Sequence, residues 1–401
     1  MHVSSEKIGT HHKQPDGRIF AWMALLSSIG YASFLTMLPI ILAEKLHNDT
    51  HIGYYYSGIA IISLIVSLSS SVLLKRFSKV TLTKIILSTL SVAFIGLSFA
   101  SSIYRFASID IARVVCITLF FIILAIFVHD YAEEKEMALA EGRFYLFTNI
   151  GWVIGPVAGG LLARFYGNEA ALIFAAICYL ILVALFFQQN LVAKNPHLHH
   201  RKEEIIPTSG LAFWKNVSDY VKIKELRQAF LVSFGLYFWW SISSIYIPLA
   251  LSNLGYSQAV IGLVISLSVI PLVLLEFHAT DGAKKFGIRK YIVLGYALLS
   301  TSLLLFTVSA PGMLIKFMIL VNIGAAFIEP NKEIFFFKTV KPQDEERLYG
   351  IYNASYPIAY IIAPTFGAIL LSSFGISGVW IGTAFVFILV ALSSLSISKK
   401  Y

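Results

Sequence analysis

The stretch Gly151-Trp-Val-Ile-Gly155-Pro156-Val-Ala-Gly159-Gly160 decides how the chain is read. It lies inside a run from 144 to 162 without a charged side chain, long enough to cross the ~30 Å hydrocarbon core of a bilayer as a helix. Four glycines and a proline in ten residues would destabilise a soluble helix. Within lipid they are tolerated, because neighbouring helices re-satisfy the backbone groups that a kink frees. Gly151, Gly155 and Gly159 recur every four residues and form a smooth stripe for close packing of another helix. The stretch predicts a bent, tightly packed membrane helix.

The rest of the chain agrees with that environment. Hydrophobic residues make up 57% of the 401 residues and charged ones 13%, against about 25% charged in soluble domains. Mean hydropathy is +0.77. Apolar runs of about 20 residues recur from end to end, which predicts a polytopic helical membrane protein and excludes a soluble domain with one anchor. The net charge of +9 is read as basic loops on the cytoplasmic side, with no nucleic-acid partner. Cys116 and Cys178 fall in apolar runs without metal-ligand spacing and read as free, buried thiols. No cleavable leader pattern precedes the first span, so that helix is expected to remain in the mature protein. No Walker-type phosphate loop occurs, which argues against ATP-driven transport.

Twelve spans are predicted, at 19–43, 54–74, 85–104, 108–131, 143–164, 170–187, 228–252, 257–279, 291–310, 313–336, 348–372 and 378–398. They divide into a tail at 1–18, a six-helix bundle at 19–187, a linker at 188–227 and a second bundle at 228–398. With the N-terminus inside, the inner segments hold 25 Lys and Arg, whereas the outer loops hold three: Lys45, Arg105 and Arg164. That asymmetry places both termini in the cytoplasm. The linker contains an amphipathic stretch with Phe213, Trp214, Val217, Tyr220 and Val221 on one face, read as lying on the inner leaflet. Histidines 2, 11 and 12 of the tail, and 197, 199 and 200 of the linker, read as solvated rather than metal-binding.

The two halves repeat. Leu38-Pro39 and Ile52-Gly53 meet Ile247-Pro248 and Ile261-Gly262 at an offset of about 209, and Lys75-Arg76-Phe77-Ser78 meets Lys284-Lys285-Phe286-Gly287 at the same offset. Pro156, Gly159, Leu162 and Gly167 meet Pro364, Gly367, Leu370 and Gly375 at about 208. Three matches in one order predict two six-helix bundles of the same orientation, with a substrate site between them near the midplane.

The six-plus-six layout, the basic loops after the second and eighth helices, and the fifth-helix glycines resemble the major facilitator superfamily. The resemblance covers nearly the whole chain and implies an all-α membrane fold of twelve transmembrane helices, as two six-helix bundles related by a pseudo-two-fold axis. Gly151-xxx-Gly155-Pro156-xx-Gly159-Gly160 resembles the fifth-helix motif of that superfamily's drug–proton antiporters. In its loop signature Lys75 and Lys284 stand where the family has Asp, flanked by Ser71, Arg76 and Ser78, and by Thr280, Lys285 and Gly287. Arg113 resembles the family's single arginine on the fourth helix, followed by Cys116-Ile117 where Gln-Gly is expected.

Ionisable residues within spans mark functional candidates. Asp110 and Arg113, three apart near the outer end of the fourth helix, are expected to pair. Arg113 is about 8 Å deep at the helical rise and is the candidate for an anionic group or a proton-linked switch, with a purely structural pair as the alternative. Asp130 and Arg143 form a second expected pair. Glu276 and Glu329 lie toward the inner ends of the eighth and tenth helices, and Lys332 and Glu333 share the Glu329 region. These read as gating or coupling residues, together with Lys75, Arg76, Lys284 and Lys285. Gly151, Gly155, Pro156, Gly159 and Gly160, with Pro364 and Gly367 as their twins, read as a helix-packing hinge. The resemblance lines the cavity with helices 1, 4, 7 and 10, which makes Tyr31, Arg113, Tyr237, Trp240 and Asn322 substrate-binding candidates. Asn353 and Tyr356 on helix 11 join them.

No Asp or Glu falls at mid-depth, so protons are expected to use Glu276, Asp110, Glu329 or Asp130 off-centre, or else the protein is a uniporter. The leading expectation is a secondary transporter in the cell membrane, not an enzyme, working by alternating access. It is expected to be monomeric, free of cofactors and metals, and to couple protons to efflux of a small amphipathic compound. Uptake or uniport of a small polar metabolite is the second reading. A transport-inactive sensor or structural protein is the reading from another class.

Overall fold

The computed structural model describes residues 18–131, 137–188, 210–308 and 313–398. The histidine-bearing tail at 1–17 and the linker stretch at 189–209 lie outside the described residues. The first six helices are α1 (Arg18–Leu46), α2 (Asp49–Arg76), α3 (Lys79–Ser98), α4 (Ile103–Tyr131), α5 (Met137–Tyr166) and α6 (Glu169–Gln188). Then come α7 (Gly210–Lys222), α8 (Lys224–Asn253), α9 (Gln258–Phe286), α10 (Ile288–Val308), α11 (Leu314–Thr339), α12 (Glu345–Asn353) and α13 (Ser355–Leu395).

Local chemistry sets several of these boundaries. The Asn48 side chain accepts from the Thr50 N–H at 2.9 Å and starts α2, and Ser78 caps α3 by accepting from Thr81 N–H at 3.1 Å. Gly167, between α5 and α6, has φ of +92°, and Gly375 within α13 has φ of +67° with ψ of −169°. Only glycine enters such conformations without strain. Gly375 therefore splits α13 into two crossings, at the position that the repeat pairs with Gly167. Among the described residues, ten helical runs are long and apolar enough to cross a membrane, the last of them being the run that Gly375 divides. α11, 26 residues long, completes the twelve despite carrying Glu329, Lys332 and Glu333.

Within the first half α1 packs on α5 and α6, and α3 on α4 and α6; in the second, α8 packs on α13, and α10 on α11 and α13. The main contacts between halves are α5 on α9 and α2 on α13. Two ends can be distinguished. The basic end carries Arg76, Lys79, Lys284 and Lys285. The far end carries the junctions α1–α2, α5–α6 and α8–α9.

The glycine stripe is partitioned between two jobs. A Cβ on Gly155 would lie 2.6 Å from the Ile29 carbonyl oxygen, and one on Gly159 would lie 2.6 Å from that of Ser33. Gly151 likewise faces Leu25 and Ser28. All three press against α1 inside their own half, so this stripe is a packing surface rather than part of the seam. Gly160 and Pro156 face the other half, where Gly262 of α9 rests on the Pro156 carbonyl. The second half repeats the arrangement. Gly367 packs on Tyr246 of α8, and the Pro364 carbonyl faces Gly53 of α2.

A hydroxyl reinforces the second seam. Proline removes an N–H and loosens the helical ladder around it. Ser57 of α2 enters the opened turn of α13, donating to Ile361 O at 2.7 Å and accepting from Thr365 N–H at 3.1 Å and the Thr365 hydroxyl at 2.8 Å. At the far tips, Asn253 Nδ2 donates to Asp49 Oδ2 at 2.8 Å.

Two sequence expectations change. Residues 345–353 form a separate short helix, so the eleventh crossing begins at Ser355 rather than 348. α7 does not offer its whole apolar face to the leaflet. Its Tyr220 is 2% exposed within the protein core, and Arg347 of α12 holds Asn216 and Asp219 of α7 at 3.2 and 2.9 Å.

Gly155→Leu is expected to lower stability by about 1–3 kcal/mol through overpacking against α1, seen as a lower melting temperature in detergent. Ile154→Leu, at an exposed neighbour, should leave it unchanged. Equal melting of the two variants would contradict this packing.

Candidate functional site

Among the described residues, two charged clusters lie inside the bundle, one in each half. The first is on α4. This helix begins at Ile103, where Ser102 Oγ accepts from Arg105 N–H at 3.3 Å, rather than at 108. Counted from that start at 1.5 Å per residue, Asp110 lies about 10 Å and Arg113 about 15 Å along the helix. Both therefore lie further from the start of their helix than the sequence implied, Asp110 about two turns along it and Arg113 almost three. Asp110 is 0% exposed. Its Oδ1 accepts from Arg113 Nε at 2.5 Å and its Oδ2 from the Tyr55 hydroxyl at 2.7 Å. The Arg113 guanidinium stacks 4.7 Å from the Phe34 ring, and its Nη1 is buried without a partner.

The second cluster is on α11, toward the basic end. Lys332 Nζ lies 2.9 Å from Glu329 Oε1 and 3.2 Å from Glu333 Oε1, and 4.9 Å from the Tyr237 ring centroid. Trp240 Nε1 donates to Glu329 Oε2 at 3.1 Å, and the Tyr352 hydroxyl to Glu333 Oε1 at 3.2 Å. The lysine side chain is 3% exposed, but those of Glu329 and Glu333 are 27% and 34% exposed. Aromatic rings surround them. Tyr237 meets Tyr356 edge-on at 5.1 Å, and Tyr356 meets Tyr360 at 4.7 Å. Across the bundle Tyr31 of α1 contacts Phe121 and Trp152 at 5.9 and 6.1 Å. Solvent thus reaches the carboxylates of the second cluster, while the first is sealed.

The structure sorts the sequence candidates. Tyr237, Trp240, Tyr356 and Glu329 come together in one aromatic, acidic cleft, and Arg113 joins Asp110 in the sealed cluster. Asn322 is 2% exposed, and its amide donates to Met318 O of its own helix at 3.0 Å, so it does not line the cleft. Asn353 is the last residue of α12, exposed at the joint with α13 rather than at mid-depth. Asp130 pairs with Lys79 at 3.0 Å, not with Arg143. Lys284 pairs with Asp281 at 3.1 Å on the exposed surface, and Arg76 and Lys285 are exposed at the same end. The side chains of Lys75 and Glu276 lie outside the described residues. Sequence reasoning missed Tyr55, Ser57, Trp152 and Tyr352, whose partners are 19 to 308 residues away.

Twelve crossings in two repeated halves, each enclosing a charged and aromatic cluster, define a polytopic transporter fold. The profile of the Major Facilitator Superfamily matches residues 20–228 and 229–399, and the chain belongs to that family. It is 24% identical over 365 residues to the MFS-type transporter YqjV of Bacillus subtilis, covering 90% of this chain and 85% of that protein. It is 22% identical over 265 residues to human solute carrier family 67 member A1, covering 62% of this chain and 59% of that one. Among solved structures, a variant of the nucleoside transporter NupG superposes with a TM-score of 0.77 at 15% identity, over 95% of this chain and 99% of that one. A POT family transporter in complex with 5-aminolevulinic acid superposes at 0.75 and 15% identity, over 96% of both chains.

Asp110→Asn should cost about 3–5 kcal/mol, because it leaves Arg113 buried without a counter-charge. Asp110→Leu combined with Arg113→Leu should recover most of that loss. A double variant no more stable than Asp110→Asn in thermal melting would show that the pair is not what makes the single change costly.

Proposed function

We propose that the chain is a secondary transporter that exchanges protons for a small amphipathic compound by alternating access, moving the compound out of the cell. In this reading the basic end faces the cytoplasm with both termini, in the cell membrane, and the bundles at 19–187 and 228–398 act as two rocking units within a monomer. The single observation that supports it is the asymmetry along the axis. Pro156–Gly262, Pro364–Gly53 and Ser57–Thr365 join the halves toward the far end, whereas the Glu329 cleft toward the basic end admits solvent. One end sealed and the other open is one of the two end states that alternating access requires.

Proton coupling rests on where the carboxylates lie. Glu329 and Glu333 are reached from the basic side, and Asp110 is enclosed nearer the far end. Rocking would exchange their exposure and offer protons a site on each side. The ring-lined cleft suits an amphipathic molecule. A second reading, uniport, is favoured by the 2.9 Å ion pair of Lys332 with Glu329, which already engages that carboxylate.

The test is substrate movement in proteoliposomes under an imposed pH gradient, with compounds selected by thermal-shift screening. Acceleration by the gradient supports exchange, and transport indifferent to it supports uniport. Absence of movement for every stabilising compound would contradict transport itself. Glu329→Gln is expected to lose at least about tenfold of gradient-driven rate at saturating substrate, in line with the effect of removing a proton-transfer group.

A further inference from the structure

We infer that the cleft at the basic end is a binding site for an organic cation, a protonated or quaternary amine on an aromatic or apolar body. Its counter-charge is Glu333 with Glu329, and its walls are Tyr237, Trp240, Tyr356 and Tyr360. The inference deepens the transport reading by naming the substrate class, and rests on that reading for what happens after binding.

The charge balance of the cluster comes first. Two carboxylates share one ammonium, so Glu329, Lys332 and Glu333 carry a net negative charge as a group. The partners are also layered. Lys332, 3% exposed, sits behind the carboxylates, bonded to both, with its ammonium facing Tyr237. Glu333 and Glu329 are the partly exposed members, so the charge presented to the cleft is negative. An anionic compound entering there meets like charge in a medium of reduced dielectric, which disfavours it.

The walls supply the second half of recognition. The π face of a tyrosine or tryptophan ring attracts a cation within about 6 Å of its centroid. Lys332 demonstrates this at 4.9 Å from Tyr237. Tyr356 is 45% exposed and stands edge-on to Tyr237 and close to Tyr360, so its ring is free for a ligand on the solvent side. Trp240 is held by its Nε1–H on Glu329 Oε2, which fixes the indole beside the carboxylate. Rings set beside a partly exposed acidic pair match a cationic head with an apolar body better than a sugar, a phosphate or a carboxylic acid. The first cluster does not compete for such a ligand, since Arg113 already occupies Asp110 and both are sealed.

Calorimetry on the full chain in nanodiscs tests this with three probes of similar size: phenyltrimethylammonium, benzyl alcohol and benzenesulfonate. The cation is expected to bind at least about tenfold tighter than the alcohol, and the sulfonate not measurably, the tenfold following from one desolvated cation–π and charge contact. Glu333→Gln, or Glu329→Gln should the first fail to fold, should weaken the cation about tenfold and leave the alcohol unchanged. Tyr356→Phe should retain cation binding and Tyr356→Ala should lose it. Equal affinity for cation and alcohol, or cation binding unchanged in both glutamine variants, would overturn the inference. Cation binding without transport in proteoliposomes would overturn the transport reading alone. Transport of a neutral compound by a protein that does not bind the cation would overturn the inference alone.

Discussion

The structure depends on backbone meeting backbone at two equivalent places. Gly262 rests on the Pro156 carbonyl, and Gly53 on the Pro364 carbonyl. Proline bends each helix, and glycine lets its neighbour approach without a side chain between them. In lipid, where apolar burial between helices gives little driving force, such close packing and the occasional polar bond hold helices together. Ser57 supplies that polar bond at one seam, entering the turn loosened by Pro364. The joint is therefore made of short-range contacts that act fully when seated and vanish when the helices part by a few ångströms.

The charged clusters divide along the same axis. Asp110 and Arg113 are compensated by each other, by Tyr55 and by the Phe34 ring, which is how two charges are retained deep in a bundle at acceptable cost. The Glu329–Lys332–Glu333 set is compensated only in part, with one ammonium for two carboxylates, and remains partly wet. A sealed cluster nearer one end and an open one nearer the other is the electrostatic counterpart of the seam. α2 serves both: Gly53 meets the Pro364 carbonyl, and Tyr55, two residues further along, donates to Asp110 of α4.

Most of the fold was legible because periodicity and small-residue spacing are local signals. The 208–209 offset identified Gly167 and Gly375 as equivalents, and both have positive φ. The spacing of Gly151, Gly155 and Gly159 marks a small-residue face, which the fold turns toward α1, but a single helix does not reveal that Gly160 faces the other way, onto α9. Position along a helix was misjudged where its start was. α4 begins at Ile103, five residues before the expected start and capped by Ser102, which places Arg113 further along its helix. Pairings across long separations were not legible: Asp130 finds Lys79 and Asp110 finds Tyr55, 51 and 55 residues away. Asn353 was misplaced because nothing in the apolar run signals the joint at Ala354.

The central claim is that the paired glycine–proline contacts hold the far end shut. Spin labels at Thr50 and Leu254 report that end, and labels at Arg76 and Lys285 report the basic end, in a background with Cys116 and Cys178 replaced by alanine. Pulsed electron resonance distances should show a short far-end population in the parent chain. Gly53→Leu combined with Gly262→Leu should lengthen the far-end distance and shorten the basic-end distance. Distances unchanged at both ends, in a variant that still folds, would contradict the account.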